Sequence, residues 1–160
     1  MPGEHIRCAT REDLSTLVEF NKALALETEG LRLLPDVVAA GVRSVLCNEG
    51  DSCGVYVVTE IDRVVVGGLL ITMEWSDWRN GNFWWVQSVY VRPEQRGKGV
   101  FRRLYAFAKE LSDADATSCG LRLYVEKDNR AAQRTYESLG MQQTRYLVFE
   151  ALKPTLRFLE

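Results

Sequence analysis

Gly97 and Gly99 stand two apart in residues 96–103, RGKGVFRR, where extended-type residues give way to a helical pattern. A chain that leaves a strand through such a bend and enters a helix at once has several unpaired N–H groups at the helix N-terminus, where the backbone's partial positive charge also gathers. These are the donors of an anion site, and glycine lets phosphate oxygens reach the backbone with no Cβ in the way. Arg96, Lys98 and Arg102 add charge, which makes a diphosphate the expected guest. A tight turn with solvated basic residues would account for the glycines alone, so the flanking sequence has to decide. The spacing excludes two nucleotide motifs. A P-loop needs G-x-x-x-x-G-K-[ST], and the dinucleotide pattern G-x-G-x-x-G lacks its third glycine here.

The elements that must hold this loop follow from periodicity. A short strand is expected at about residues 5–9. Thr10 and Asp13 then form a helix-start signature ahead of Leu14, Leu17, Val18, Asn21, Leu24 and Ala25 at helical spacing. Gly30 breaks that helix, and Pro35-Asp36 opens a second with Val37, Val38, Val42, Val45 and Leu46 on one face. Residues 55–60 and 64–73 are β-branched-rich and joined at hairpin length, and an Asn80-Gly81 turn signal leads into an apolar strand over 83–91. Pro93 stops that strand, and residues 100–111 place Leu104, Phe107, Ala108 and Leu111 on one helical face. A strand at 121–125, a helix at 131–139 and a last strand at 141–149 complete the pattern. The fold class is α+β, with a mostly antiparallel sheet that has a parallel portion beside the long helix.

At 160 residues the chain fits one domain, 1–160, with no linker, repeat or low-complexity tract. Its net charge of -2 gives no reason to expect nucleic acid as a partner. Cys8, Cys47, Cys53 and Cys119 form no C-x-x-C pair and His5 is the one histidine, so no metal is expected. The first residues lack a secretory layout, and no run approaches the roughly 20 apolar residues that cross a bilayer. The expectation is a cytoplasmic protein with reduced thiols and no membrane partner.

With its flanks, the loop in residues 89–100, VYVRPEQRGKGV, resembles motif A of the GNAT superfamily of N-acetyltransferases, whose core pattern is Q/R-x-x-G-x-G/A. The match is taken to begin at Gln95 and Arg96, and it departs at Phe101, which stands in place of a small residue. Residues 123–141, LYVEKDNRAAQRTYESLGM, look like that family's motif B. The resemblance implies a GNAT-like mixed sheet of six to seven strands with about four helices, and a wedge between two diverging parallel strands that receives acetyl-CoA. It implies that Val89, Tyr90 and Val91 meet the pantetheine and acetyl groups. The amides of Gly97, Lys98, Gly99, Val100, Phe101 and Arg102, with the Arg96 side chain, would grip the pyrophosphate. Asn129 would contact the donor and cap the next helix, or cap alone. Tyr136 would protonate the departing thiolate, or simply fill the core.

The activity implied is transfer of acetyl from acetyl-CoA, as donor substrate, to a primary amine of a small molecule or peptide by direct attack, with no metal. Some family members carry a base on the strand before the loop, but residues 83–91 contain no acid. Glu27, Glu74 and Glu29 remain as carboxylates that could act as base, directly or through water, or bind a cation. Trp75 and Trp78 are candidates for an acceptor pocket if they lie beside those carboxylates, and for core or a homodimer interface otherwise. A non-catalytic acyl-CoA sensor is the competing reading.

Overall fold

The computed structural model describes residues 3–48 and 54–160, so Cys53 lies outside the described residues. The chain divides into two compact units, Met1–Leu123 with Phe158–Glu160, and Tyr124–Arg157. The first unit holds β1 (Glu4–Cys8), α1 (Leu14–Glu29), α2 (Pro35–Cys47), β2 (Gly54–Ile61), β3 (Val64–Ser76), β4 (Gly81–Val91), α3 (Val100–Ala114) and β5 (Ser118–Arg122). The second holds α4 (Arg130–Ser138).

The five strands form one sheet in the order β1-β2-β3-β4-β5. Every neighbouring pair is antiparallel except β4 and β5, which run parallel. Strand alternation sends successive side chains to opposite faces. Val57 joins Leu69, Ile71, Trp84 and Val86 under Val100, Leu104 and Ala108 of α3, while its neighbours Tyr56 and Val58 join Tyr90 under Leu17 and Phe20 of α1 and Val42 of α2. Each helix layer thus covers one face.

The expected sheet of six to seven strands is corrected to five among the described residues. The strand expected at 121–125 sits earlier, as β5. Residues 141–149 form no strand, although their apolar run suits one, because a strand exists only through a hydrogen-bonded neighbour. Tyr146, Leu147, Val148 and Phe149 are instead exposed. None of the described helices is long and apolar enough to cross a membrane. Cys8 is exposed and Cys47 and Cys119 are half-buried, all three free.

Two local devices place the ends of α1. At its C-terminus Gly30 adopts φ 68°, and its N–H and that of Leu31 close on Leu26 and Ala25, which leaves Glu27 in the last turn. At its N-terminus the buried Asp13 carboxylate accepts from the Thr10 amide at 2.7 Å and from both Arg7 Nη atoms at 2.7 and 3.0 Å. Burial pushes this carboxyl up, but Arg7 and the Thr10 amide outweigh it and hold the pKa below the ordinary range. A depressed carboxyl stabilises the fold fully above its unfolded pKa of about 4, and that contribution is lost as pH falls through the lower folded value. Asp13→Asn should therefore lower stability at pH 7 by about 2 kcal/mol, since it strips a charged partner from Arg7, and the deficit should shrink toward pH 3. Urea melts of both proteins across that range check the prediction.

Candidate active site

β4 leaves its partners at one point. On the β3 side its register passes from Gly68 opposite Tyr90 to Leu70 opposite Gln87, so Leu69 faces the two residues Ser88 and Val89. Ser88 takes φ 49°, a left-handed backbone unusual for serine, and such a bulge bends and twists its strand. On the other edge the parallel ladder with β5 runs from Asn82–Ser118 to Trp85–Arg122 and ends there. Beyond Trp85, that edge of β4 has no strand neighbour among the described residues, and it carries Val89, Tyr90 and Val91.

This open edge leads into the glycine loop. Pro93–Gln95 form one 3₁₀ turn, Gly97 and Gly99 adopt φ 74° and 77°, and α3 begins at Val100. The backbone N–H groups of Gly97, Lys98, Gly99 and Val100 donate to no acceptor among the described residues. Two of the loop carbonyls, by contrast, are engaged. Lys98 O accepts from Arg103 Nη1 at 2.9 Å and Gly99 O from the Arg103 amide at 3.2 Å. Arg103 is in turn fixed by Glu4 at 2.8 Å. A Cβ built at Gly97 would meet no atom within 4 Å, so there is room beside the backbone at that residue. Orphan amides, room beside Gly97 and a helix N-terminus fit a diphosphate.

The charged side chains divide their work differently from the expectation. Arg96 Nη2 binds Glu27 at 2.6 Å, its Nε donates to Val91 O at 2.9 Å, and its guanidinium lies 5.4 Å from the Tyr90 ring centre. Glu27 also accepts from the Tyr90 hydroxyl at 3.2 Å. The Arg96 hydrogen bond, joined by that of Tyr90, holds the Glu27 carboxyl below its ordinary pKa, which makes it a poorer base. Arg96 and Glu27 therefore strap α1 to the root of the loop. Arg103, absent from the expected site, pins Lys98 O with its side chain and Gly99 O with its amide; its position four residues after Gly99, one helical turn on, is the signal that marks it.

Glu74 also has fixed partners, the Trp85 indole N–H and Arg122 Nη1, the latter at 3.0 Å. Trp75 and Trp78 do not share this cluster. Glu74 lies on the face of the sheet that includes Leu70, so its neighbour Trp75 points to the other face, and Trp78 sits in the turn after β3, largely exposed. Glu29 ends α1 on the surface. In the second unit, Asn129 caps α4 by accepting from the Ala132 amide at 3.1 Å. Burial raises the Tyr136 phenol above its ordinary pKa.

A family model described as "Acetyltransferase (GNAT) family" matches residues 25–141. The chain belongs to the GNAT acetyltransferase family. It is 45% identical to a "possible acetyltransferase" from Clostridium difficile 630, with TM-score 0.85, over 94% of this chain and 97% of that one. A solved aminoglycoside N-acetyltransferase AAC(6')-Iy in complex with CoA has TM-score 0.76 at 17% identity over 94% and 95% of the chains, a likeness of fold. The thialysine N-epsilon-acetyltransferase of Bos taurus is 33% identical over 78 residues, which are 49% of this chain and 45% of that protein. This chain therefore matches less than half the length of that curated relative. The six positions from Arg96 to Phe101 follow the GNAT loop pattern, with Arg96 first, Gly99 as its glycine and Phe101 in place of the last small residue. Among the described residues of this acetyltransferase no group of His, Cys, Asp and Glu could hold a metal ion.

Proposed function

We propose that this protein transfers the acetyl group of acetyl-CoA to a primary amine of a small molecule or peptide. The observation that carries the reading is the departure of β4 from β5 at Trp85, just before the Ser88 bulge, on a strand that runs straight into a loop of orphan amides. The edge at Val89–Val91, which has no strand neighbour among the described residues, can take pantetheine as an added strand, and the amides of Gly97–Val100 take the diphosphate. The remaining amides to Arg102 and the Asn129 side chain are assigned to the same donor by their motif positions. Because the family match runs across residue 123, the two units are read as one catalytic domain. The curated relative's action on thialysine supports an amine as acceptor.

In the reaction the amine nitrogen bonds to the acetyl carbon, the carbon–sulfur bond breaks, and the thiolate takes a proton. A β4 amide directed at the acetyl oxygen stabilises the charge that develops there. Tyr136 is assigned as the proton donor, and its raised pKa keeps the phenol protonated through neutral pH. With Glu27 bound by Arg96, and Glu74 by Arg122 and Trp85, the acceptor's proton passes to water.

An alkylamine of pKa about 10.4 is neutral in only about one molecule in a few thousand at pH 7. The acceptor kcat/KM should therefore rise about tenfold per pH unit between 7 and 9. A flat profile would require a protein base of lower pKa. The reading itself is tested by thiol release from acetyl-CoA across amines, diamines, amino acids and peptides. Tight acetyl-CoA binding with no turnover of any amine would replace it with a thioester sensor.

A further inference from the structure

The sheet face that carries Leu70 and Tyr90 continues past the α1–α2 core. Its outer part consists of Thr72 and Glu74 from β3, Phe83, Trp85 and Gln87 from β4, and Arg122 from β5. None of these six belongs to either core cluster. They are ordered all the same. Gln87 Nε2 donates to Thr72 Oγ1 at 2.5 Å, Arg122 lies 3.5 Å from the Phe83 ring centre, and Arg122 and the Trp85 indole both bind Glu74.

We infer that this part of the face reads the α-amino and α-carboxylate groups of an amino acid, so that the amine acetylated is the terminal side-chain amine of a basic amino acid. The inference rests on the acetyl-transfer reading above and names its acceptor class. The face presents the Glu74 carboxylate beside the Arg122 guanidinium, with the Arg79 guanidinium 5.1 Å from the Phe83 ring centre, and neither member of the Glu74–Arg122 pair is saturated. A guanidinium has five N–H donors, of which Arg122 places one on Glu74. A carboxylate has about four acceptor positions, of which Glu74 uses two. A carboxylate can therefore bind Arg122 while an ammonium binds Glu74. A simple diamine would satisfy Glu74 alone and face Arg122 with its second charge.

The distances agree with this assignment. Trp85 precedes the Ser88 bulge by three residues, about 10 Å along a strand. A side chain with four methylenes reaches about 6 Å from Cα to its nitrogen at ordinary bond lengths. The approach of nitrogen to the acetyl carbon adds about 3 Å. Headgroup and bulge are thus separated by the length of a lysine-type side chain.

Thiol release with acetyl-CoA should show kcat/KM for L-lysine at least tenfold above that for cadaverine, its counterpart without the carboxylate. Arg122→Gln should bring that ratio close to one. L-Lysine methyl ester, which lacks the negative charge, should behave like cadaverine with the unaltered protein, a measurement that holds even if the variant folds poorly. Equal turnover of lysine and cadaverine, or a ratio untouched by Arg122→Gln in a folded variant, overturns the inference and leaves acetyl transfer standing. If no amine is turned over, acetyl transfer falls. Calorimetry with CoA bound then decides the headgroup, with tenfold tighter binding of lysine supporting it and equal or undetectable binding overturning it.

Discussion

Gly97→Asp weakens acetyl-CoA binding about a hundredfold relative to Gly97→Asn, with both variants folded. Gly97 holds φ 74°, a conformation that aspartate and asparagine tolerate better than other side chains. A Cβ there meets no atom within 4 Å, so neither substitution disturbs packing. The two side chains are nearly the same in shape and differ in charge. A carboxylate set before the amides of Gly97–Val100 repels a diphosphate by about 4 kcal/mol per charge at 4 Å and an effective dielectric of 20. A hundredfold loss, about 2.7 kcal/mol, is a conservative reading of that repulsion. Gly99 is a weaker place for the same test, because Arg103 Nη1 lies 3.0 Å from a Cβ built there and would partly neutralise an introduced acid. Calorimetric titration with acetyl-CoA, alongside thermal melts, measures the effect. Equal affinities in the Asp and Asn variants would move the diphosphate away from this loop.

The loop was legible in the sequence because its chemistry is carried by the backbone. Two glycines, a preceding proline and a helical pattern are enough to forecast left-handed turns and orphan amides, and both are present at Gly97 and Gly99. Side-chain roles were less legible, since they depend on partners distant in sequence. Arg96 carries the charge expected at a phosphate, yet Glu27, 69 positions away, claims it. The Ser88 bulge has no residue signature, because serine is not a residue that announces a left-handed backbone.

The cluster at Glu74 lay between these cases. The Asn80-Gly81 turn fixes the hairpin register, and counting back from it sets Glu74 opposite Phe83 and diagonal to Trp85. The carboxylate–tryptophan pair was therefore within reach, with Trp85 as the partner in place of Trp75 or Trp78. Residues 141–149 mark the opposite limit. Their composition suits a strand, but the pairing that makes a strand is a property of neighbours that the segment does not encode.

Tyr136→Phe lowers kcat about a hundredfold while leaving acetyl-CoA affinity within twofold, the loss expected when one proton donor is removed. Phenylalanine keeps the ring, so whatever packing holds the half-buried Tyr136 side chain is retained, and only the hydroxyl disappears. Burial raises the phenol's pKa, so the proton it would deliver stays in place through neutral pH. The role has a signature that packing lacks. A thiolate of low basicity needs no proton to depart, so the Tyr136→Phe deficit should be large with acetyl-CoA and should nearly vanish with an acetyl ester of an aryl thiol, compared in kcat for both proteins. An undiminished kcat with acetyl-CoA, or a deficit equally large for both donors, would return Tyr136 to a purely structural place in α4. A deficit confined to KM would point the same way, because a proton delivered to the leaving sulfur acts in the transition state and not in the binding of the donor.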